Sequence, residues 1–584
     1  MRDNDIVFLN VHRRYLDDRP TYGGFLGIYA LAAFVNANGY RGQAFAGTLH
    51  QGKGLLDILC RAHQVQMVGL YCDYGNVTEN IALCRYLKET YGLPVIVGGP
   101  QATSFSRAFF EQSRCDAVVR YEGELTVVAL LDHFLDGGTG ALADIRGIAY
   151  LADDGIKITP PRPLIENLDR LPFVDDDCYL VRKQRPRELS IMTGRGCPFH
   201  CAFCHEGTGS SHVRFRSVEN VLAEIEQFLA SRPDGEVDHI LFVDDTFTLR
   251  TDRVHALCEG LRRLRAHHDF DWFCEGHVHT LLHHPQMIED IAAAGAERIQ
   301  LGIESGNQHV LDAYGKQTTP EEIKTVVRLC RDAGIQQIYG NLILGSAFFS
   351  EETYARDLAF GKELQALGQG TLELGVVSYW PLPETAMTQQ PEAYGIMVTD
   401  FDFTTSVDDF PQTEADGIDR FRVVAMIQEL QQALAEERRE MLAAGDVPLA
   451  RICSWFDRKR SFRSYGAWWY SLKELPHLFA SVHLLADGEA VQRAALGDAW
   501  PDARPMRVVA LRDHLQMHAD GTAELCGVQL SRQELAVLIR STGRLTCREI
   551  VARLPADGVE LSLPALRDIL DVLEKRYLMV YAAE

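Results

Sequence analysis

Three cysteines, Cys197, Cys201 and Cys204, stand in the run Gly196-Cys-Pro-Phe-His-Cys-Ala-Phe-Cys-His205, with the spacing C-x3-C-x2-C. Three thiolates from one short loop suit three irons of a [4Fe–4S] cube and leave the fourth iron open to a small molecule. A zinc loop is the competing reading. Structural zinc wants four ligands in paired hooks, and no second C-x2-C hook exists in the chain.

A chain of 584 residues calls for three or four domains. None of its stretches is long and apolar enough to span a bilayer. Arg2, Asp3 and Asp5 lead into a short strand, so no signal peptide is evident. The 14 cysteines have no framework spacing, which suits a reducing cytoplasm. A formal net charge of −23 argues against nucleic acid as a partner.

Residues 1–150 alternate apolar runs with amphipathic helices. Ile6–Leu9, Met67–Tyr71, Val95–Val97 and Ala117–Val119 read as buried strands, Gly27–Asn38 and Glu79–Glu89 as helices. That pattern predicts an α/β, doubly wound, Rossmann-like parallel sheet. Ligands of such sheets sit beyond the strands' carboxyl ends. The loops there carry Tyr71, Cys72, Tyr74 and Gly75; Gly98, Gly99 and Pro100; and Glu122, Gly123 and Glu124. Glycines at strand ends let backbone approach a large ligand.

After a linker (151–186), strand–helix alternation resumes over 187–400. Strand-like runs occur at Leu189–Thr193, His239–Asp244, Asp271–His277, Arg298–Glu304, Gln337–Ile343 and Leu372–Tyr379. Six units predict a partial (β/α)6 TIM-type barrel, with active residues at the strand carboxyl ends. The cysteine loop follows the first strand. Phe199 and Phe203 give its thiolates apolar cover. Period-two alternation places Phe273, Glu275, His277 and His279 on one face of a strand.

The cysteine loop resembles that of radical S-adenosylmethionine (SAM) enzymes. Val97-Gly98-Gly99-Pro100, Val119 to Thr126 and Leu168-Asp-Arg-Leu-Pro-Phe173 resemble the cobalamin (B12)-dependent branch of that family. The resemblance implies a cobalamin domain, a radical SAM barrel, and three cofactors: a [4Fe–4S] cluster on Cys197, Cys201 and Cys204, SAM, and methylcobalamin. It places SAM-binding segments at Val243–Phe247 with Asp245, at Gly302–Gln308 with Glu304 and Ser305, at Leu344–Ser346 and at Pro381–Thr385, and it counts Phe203 among the cofactor-binding residues. The branch's usual cobalt-ligating motif, D-x-H-x-x-G, is absent: Asn10-Val-His12 stands in its place with Tyr15 for the glycine. His12 therefore reads as an ordinary loop histidine. Tyr71 is expected to line the lower face of the corrin without ligating cobalt, leaving the metal easier to reduce to a nucleophile. Glu275 is a polar lining group or, on the sharper reading, a ligand to the fourth iron.

The activity implied is methyl transfer to an unactivated carbon of an amino acid, peptide or other natural-product precursor, tryptophan among the possibilities. The chemistry would need an external electron donor. Alternatives are a cyclising, rearranging or oxidising radical enzyme, and a non-catalytic peptide-binding scaffold. The setting implied is cytoplasmic, without nucleic acid or membrane.

Residues 401–504 read as a helical extension, with a helix over Arg420–Ala443 and aromatics at Trp455, Trp468, Trp469 and Tyr470. Residues 505–584 read as a winged-helix module. Its strands are expected at Met506–Gln516, Gly521–Val528 and Leu578–Tyr581. Two helices start at capping boxes, Ser531/Glu534 and Thr546/Glu549, and a third runs over Pro564–Arg576. The module resembles PqqD-like chaperones, which implies a leader peptide added as an edge strand.

Overall fold

The computed structural model describes residues 3–12, 26–135, 141–181, 188–205, 211–232, 239–399, 401–405, 410–415, 417–455, 466–518 and 522–583. Tyr15 lies outside these residues. Two compact units divide the chain. One comprises Met1–Val326, Ile343–Ala355 and Val377–Ile427; the other comprises Val327–Leu342, Arg356–Val376 and Gln428–Glu584.

The first unit begins with β1 (Asn4–His12), α1 (Leu26–Ala37), β2 (Gly42–Thr48), α2 (Leu49–Arg61), β3 (Val65–Tyr71), α3 (Val77–Tyr91), β4 (Val95–Gly98), α4 (Pro100–Ser104), α5 (Ser106–Ser113), β5 (Ala117–Val119) and α6 (Glu124–Phe134). The hairpin β6 (Ile148–Ala152) and β7 (Gly155–Ile158) follows. These strands form one sheet in the order β2-β1-β3-β4-β5-β6-β7, with β1 to β5 parallel and the hairpin antiparallel. Successive side chains face opposite ways, so Val7, Leu9, Val68, Leu70 and Val97 fill one core while Ile6, Phe8, Met67 and Ile96 fill the other. Each such side chain contributes roughly 1.5–3 kcal/mol by leaving water. The strand order reverses between β1 and β3, the switch point where sheets of this order open a crevice. The sheet exceeds the expectation: β2, β6 and β7 are additional, and pairing runs through Ile158, past residue 150. His12 is the last residue of β1, in register with Thr48, not part of a loop.

The second sheet of this unit starts with β8 (Glu188–Ile191). A two-stranded ribbon, β9 (Gly194–Arg195) and β10 (Arg214–Phe215), brackets the cysteine loop. Then come β11 (His239–Phe242), β12 (Asp271–Gly276) and β13 (Ala296–Leu301), parallel to β8 in the order β8-β11-β12-β13. β14 (Gln337–Leu344) and β15 (Leu372–Ser378) complete six strands, and their carboxyl ends lie in this unit. There Ile343 N–H donates to Glu304 O (2.9 Å) and Tyr379 N–H to Leu344 O (2.8 Å). All six expected strands exist. One expectation fails: β12 stops at Gly276 and a helix runs over Val278–His283, so His279 leaves the face that carries Glu275.

In the second unit, Trp455 and Trp468 are fully buried with Leu442, Ile452, Leu472 and Leu478, whereas Tyr470 is exposed. Its last part has helices Arg532–Arg540, Cys547–Arg553 and Leu563–Lys575, the first two opened by the expected capping boxes. They share a core with short strands at Ala523–Leu525, Val528–Leu530 and Met579–Ala582. The run Met506–Gln516 is not one strand: Pro505–Arg507 is extended, and a helical turn follows at Leu511–His514. No helix of the described residues is long and apolar enough to cross a membrane.

Candidate active site at the cysteine loop

The cysteine loop is pinned at its middle. Ala202 N–H donates to Tyr314 O (2.9 Å), Met387 N–H donates to Ala202 O (3.0 Å), and Cys204 N–H closes a turn on Cys201 O (3.0 Å). All three cysteines are half-exposed, whereas most others in the chain are buried. Phe203 packs edge-on to Tyr314, and Phe199 stacks on His277 at 3.8 Å between ring centroids. The ring stack explains the apolar cover on one side of the loop. It also buries the imidazole, and burial, with Lys316 and His279 nearby, pushes His277 down to about 3.

Lys316 is the residue that sequence reading missed. It is buried, and its Nζ lies 3.0 Å from Glu304 Oε1. Burial opposes its charge, but Glu304 and the sulfurs of Cys201 and Cys204 outweigh that and hold its pKa above the ordinary value. Cys201 is raised by burial, with Lys316 pulling the other way. A fixed cation beside two thiols favours their thiolate forms, the forms that ligate iron. The loop therefore fits a cluster: three accessible thiols, apolar cover and a compensating charge.

The strand ends around the loop carry the other expected residues. Asp244 is buried and accepts from Thr193 and from Gly194 N–H (3.1 Å), which ties the end of β11 to that of β8. Asp245 opens to solvent along one side, in the wall of a cavity; the protein around it strips enough water to raise its carboxyl, opposed by Gly196 N–H. Glu304 has φ +61°, a left-handed conformation that a non-glycine residue adopts at a cost and that recurs at functional sites. Its carboxylate is engaged by Lys316. Ser305 is fully buried, and its Oγ accepts from Asn307 N–H (3.1 Å), so its side chain shapes the turn. Glu275 is half-buried at the end of β12 and accepts from Gln300 Nε2 (3.2 Å).

The first sheet brings its own loops to this region. Tyr74 meets His205 edge-on at 6.4 Å, and His205 Nδ1 lies 2.9 Å from Pro383 O. Tyr71 is half-buried, and its carbonyl accepts from Asn76 and Asn80 (both 3.1 Å). Gly75 N–H donates to Asp73 (2.9 Å) in the same turn. The Cys72 side chain is fully buried in the sheet core. Gly99, at φ +105°, is needed by the protein itself, because a Cβ there would lie 2.4 Å from Cys72 O. Gly98 is less constrained, with Val119 O at 3.6 Å. Pro100 opens α4 and Gly123 precedes α6.

Glu122 and Glu124 serve a purpose the sequence did not reveal. Arg195 pairs with Glu122 (3.1 Å) and Glu124 (2.5 Å), and Arg214 pairs with Glu122 (2.8 Å). Burial works against the charge on Glu122, but Arg214, Ile165 N–H and Arg195 hold its pKa below the ordinary value. The two glutamates thus bind the first sheet to the ribbon around the cysteine loop. Beside them lies a cavity of about 440 Å³, whose walls include Tyr121, Glu122, Glu124, Arg195 and Asp245. Among the described residues its walls do not include Tyr71, Gly98, Glu275 or Glu304.

Residues 191–357 match the Radical SAM superfamily, whose members work with a [4Fe–4S] cluster and SAM. An uncharacterized methyltransferase, PH0819 of Pyrococcus horikoshii, is 31% identical over 275 residues, 46% of this chain and 58% of its own. The chain spans about half the length of the curated relatives it matches. The fold is similar to that of the radical SAM methyltransferase TsrM from Kitasatospora setae, solved with tryptophan and a SAM analogue. That match has a TM-score of 0.57 and 16% identity, over 68% of this chain and 79% of that one. It is also similar to the cobalamin-dependent SAM radical enzyme OxsB, solved with aqua-cobalamin, with a TM-score of 0.60 and 16% identity over 99% and 85%.

Proposed function

We propose that this protein is a SAM- and cobalamin-dependent methyltransferase acting on an unactivated carbon of an amino acid, peptide or related natural-product precursor. The observation that carries the reading is the meeting of Tyr74, from the loop after β3, with His205 at the end of the cysteine loop. This contact between the loop after β3 and the cysteine loop supports a cofactor held at the strand ends of the first sheet facing the cluster. Cys197, Cys201 and Cys204 would hold the cluster, which supplies an electron for cleaving SAM. Cobalamin would supply the transferable methyl group from the carboxyl ends of β1, β3, β4 and β5.

The chain's own groups then divide the work. Lys316 offsets thiolate charge, and Asp245 and the Glu304–Ser305 turn would orient the amine, ribose or carboxylate of SAM. Tyr71, Tyr74, Gly75, Gly98 and Glu122–Glu124 would contour the cobalamin face, with Tyr71 beneath the corrin and no imidazole on cobalt. Glu275 would face the cluster's open side or the substrate. Holding two cofactors and one substrate in a single water-poor space is what directs reactive species to the right carbon.

The module over 505–584 would be a winged-helix, PqqD-like domain that holds a leader peptide along a strand edge. The substrate class rests on this and on the similarity to TsrM; tryptophan is one candidate. A cyclising, rearranging or oxidising radical enzyme is the second reading, favoured by 30% identity over 274 residues to the anaerobic magnesium-protoporphyrin IX monomethyl ester cyclase of Rubrivivax gelatinosus.

Anaerobic protein reconstituted with iron, sulfide and hydroxocobalamin should contain about four iron and one cobalt per chain. With a reductant, SAM and substrate it should add 14 mass units, about one methyl group, to an amino-acid or peptide substrate. Cleavage of SAM without methylated product would select the second reading, and absence of cobalt would refute the first. Glu275→Ala should alter the cluster's spectrum with and without SAM; an unchanged spectrum would remove Glu275 from the iron.

A further inference from the structure

The barrel has a second cluster of metal-ligating side chains, at the strand ends opposite the cysteine loop. His239 opens β11, Asp271 opens β12, and Glu297 is the second residue of β13. We propose that His239, Asp271 and Glu297 together bind one divalent transition-metal cation such as zinc.

The geometry supports a built site. One ligand atom from each of the three side chains lies within 4.8 Å of the others, and all three residues are buried. His239 Nδ1 faces both carboxylates: it contacts Asp271 Oδ1 and lies 4.0 Å from Glu297 Oε2. Strand register produces this convergence. His239 and Asp271 are Cα partners across β11 and β12. Between β12 and β13 the register shifts, from Trp272 opposite Ala296 to Phe273 opposite Arg298, which leaves Glu297 as the extra residue. A bulge of this kind re-aims a side chain, and bulges gather at barrel rims. Glu188, also buried, stands in register beside His239 on β8, so a further carboxylate shares this rim.

The donor set also suggests the ligand. Neutral imidazole and carboxylate oxygens suit zinc and manganese, whereas the cysteine loop suits iron–sulfur. Buried imidazole and carboxylates converging from three strands offer a divalent cation both donor atoms and compensating charge. Its position at the strand starts assigns it to holding β11, β12 and β13 together, since stability, not catalysis, resides at that end of such barrels. This assignment is independent of the methyltransferase reading: it concerns a different metal at the other end of the barrel.

Full-length protein carrying its reconstituted cluster, soaked in zinc chloride and desalted, should retain about one zinc per chain beyond its iron. Glu297→Gln and His239→Leu should each weaken zinc retention roughly tenfold or more, while iron content and cluster absorption stay unchanged. X-ray absorption at the zinc edge of the wild-type protein should show nitrogen and oxygen neighbours only. Three results would overturn the site: no zinc retained, equal retention by both variants, or sulfur neighbours, which would put zinc in the cysteine loop. Should both variants fail to fold, the zinc-edge measurement on the wild type decides alone.

Discussion

Lys316 shows how much chemistry one side chain can contribute without belonging to a motif. It follows Gly315 at the end of the helix Gln308–Tyr314, and only the fold brings it to Glu304 and the cysteines. Replacing it with methionine leaves the Glu304 carboxylate buried beside thiolates without its cation. Breaking a buried pair from one side costs about 3–5 kcal/mol. Lys316→Met should therefore melt earlier and take up less iron, as measured by thermal unfolding and iron per chain. Unchanged iron content would reduce Lys316 to a structural role. Cys197, Cys201 and Cys204 were legible because their spacing is itself the signal. Lys316, Arg195 and Arg214 were not, because an isolated basic residue in a sequence carries no mark of its partner.

At the scale of elements, strand ends decide which glycines are structural and which face a ligand. Gly99→Ala forces a Cβ against Cys72 O and a side chain into φ +105°. It should destabilise the first sheet by about 1–3 kcal/mol and reduce cobalt uptake with it. Gly98→Ala meets only an ordinary contact, so it should leave the melting temperature nearly unchanged. A selective loss of cobalt in Gly98→Ala would identify that strand end as ligand contact; equal uptake would remove Gly98 from the site. The strands read best from sequence were the short apolar runs of β3, β4 and β5. β2 escaped notice because Gly42-Gln-Ala-Phe-Ala-Gly-Thr48 is built mostly of small residues, whose strand character comes from pairing with β1. β6 and β7 escaped because their outer faces are exposed and their pattern weak. His279 was misplaced because alternation on paper continues across the point where the backbone turns helical.

Buried histidines make the stability of this protein depend on pH. In the second unit, burial pushes His477 down to about 4, with His514 adding to the effect. Unfolded, the same imidazole titrates at about 6.5. The folded state thus refuses a proton that the unfolded state accepts. The associated stability is intact above the unfolded value and drains away as pH falls toward 4, at about 1.4 kcal/mol per pH unit and roughly 3 kcal/mol in all. Between pH 7 and 5 the melting temperature should drop, followed by tryptophan fluorescence, and His477→Phe should flatten the decline; an equal decline in the variant would place the acid sensitivity elsewhere. The ribbon formed by β9 and β10 has a consequence for maturation. Arg195 and Arg214 are Cα partners at the two stems of the cysteine loop, and both grip Glu122 of the neighbouring sheet. Whatever draws the stems together also tightens that grip, and the coupling works equally in reverse. If the loop takes up its inorganic cargo and the sheet the vitamin, as proposed above, the two loadings would be halves of one maturation event, each making the other easier.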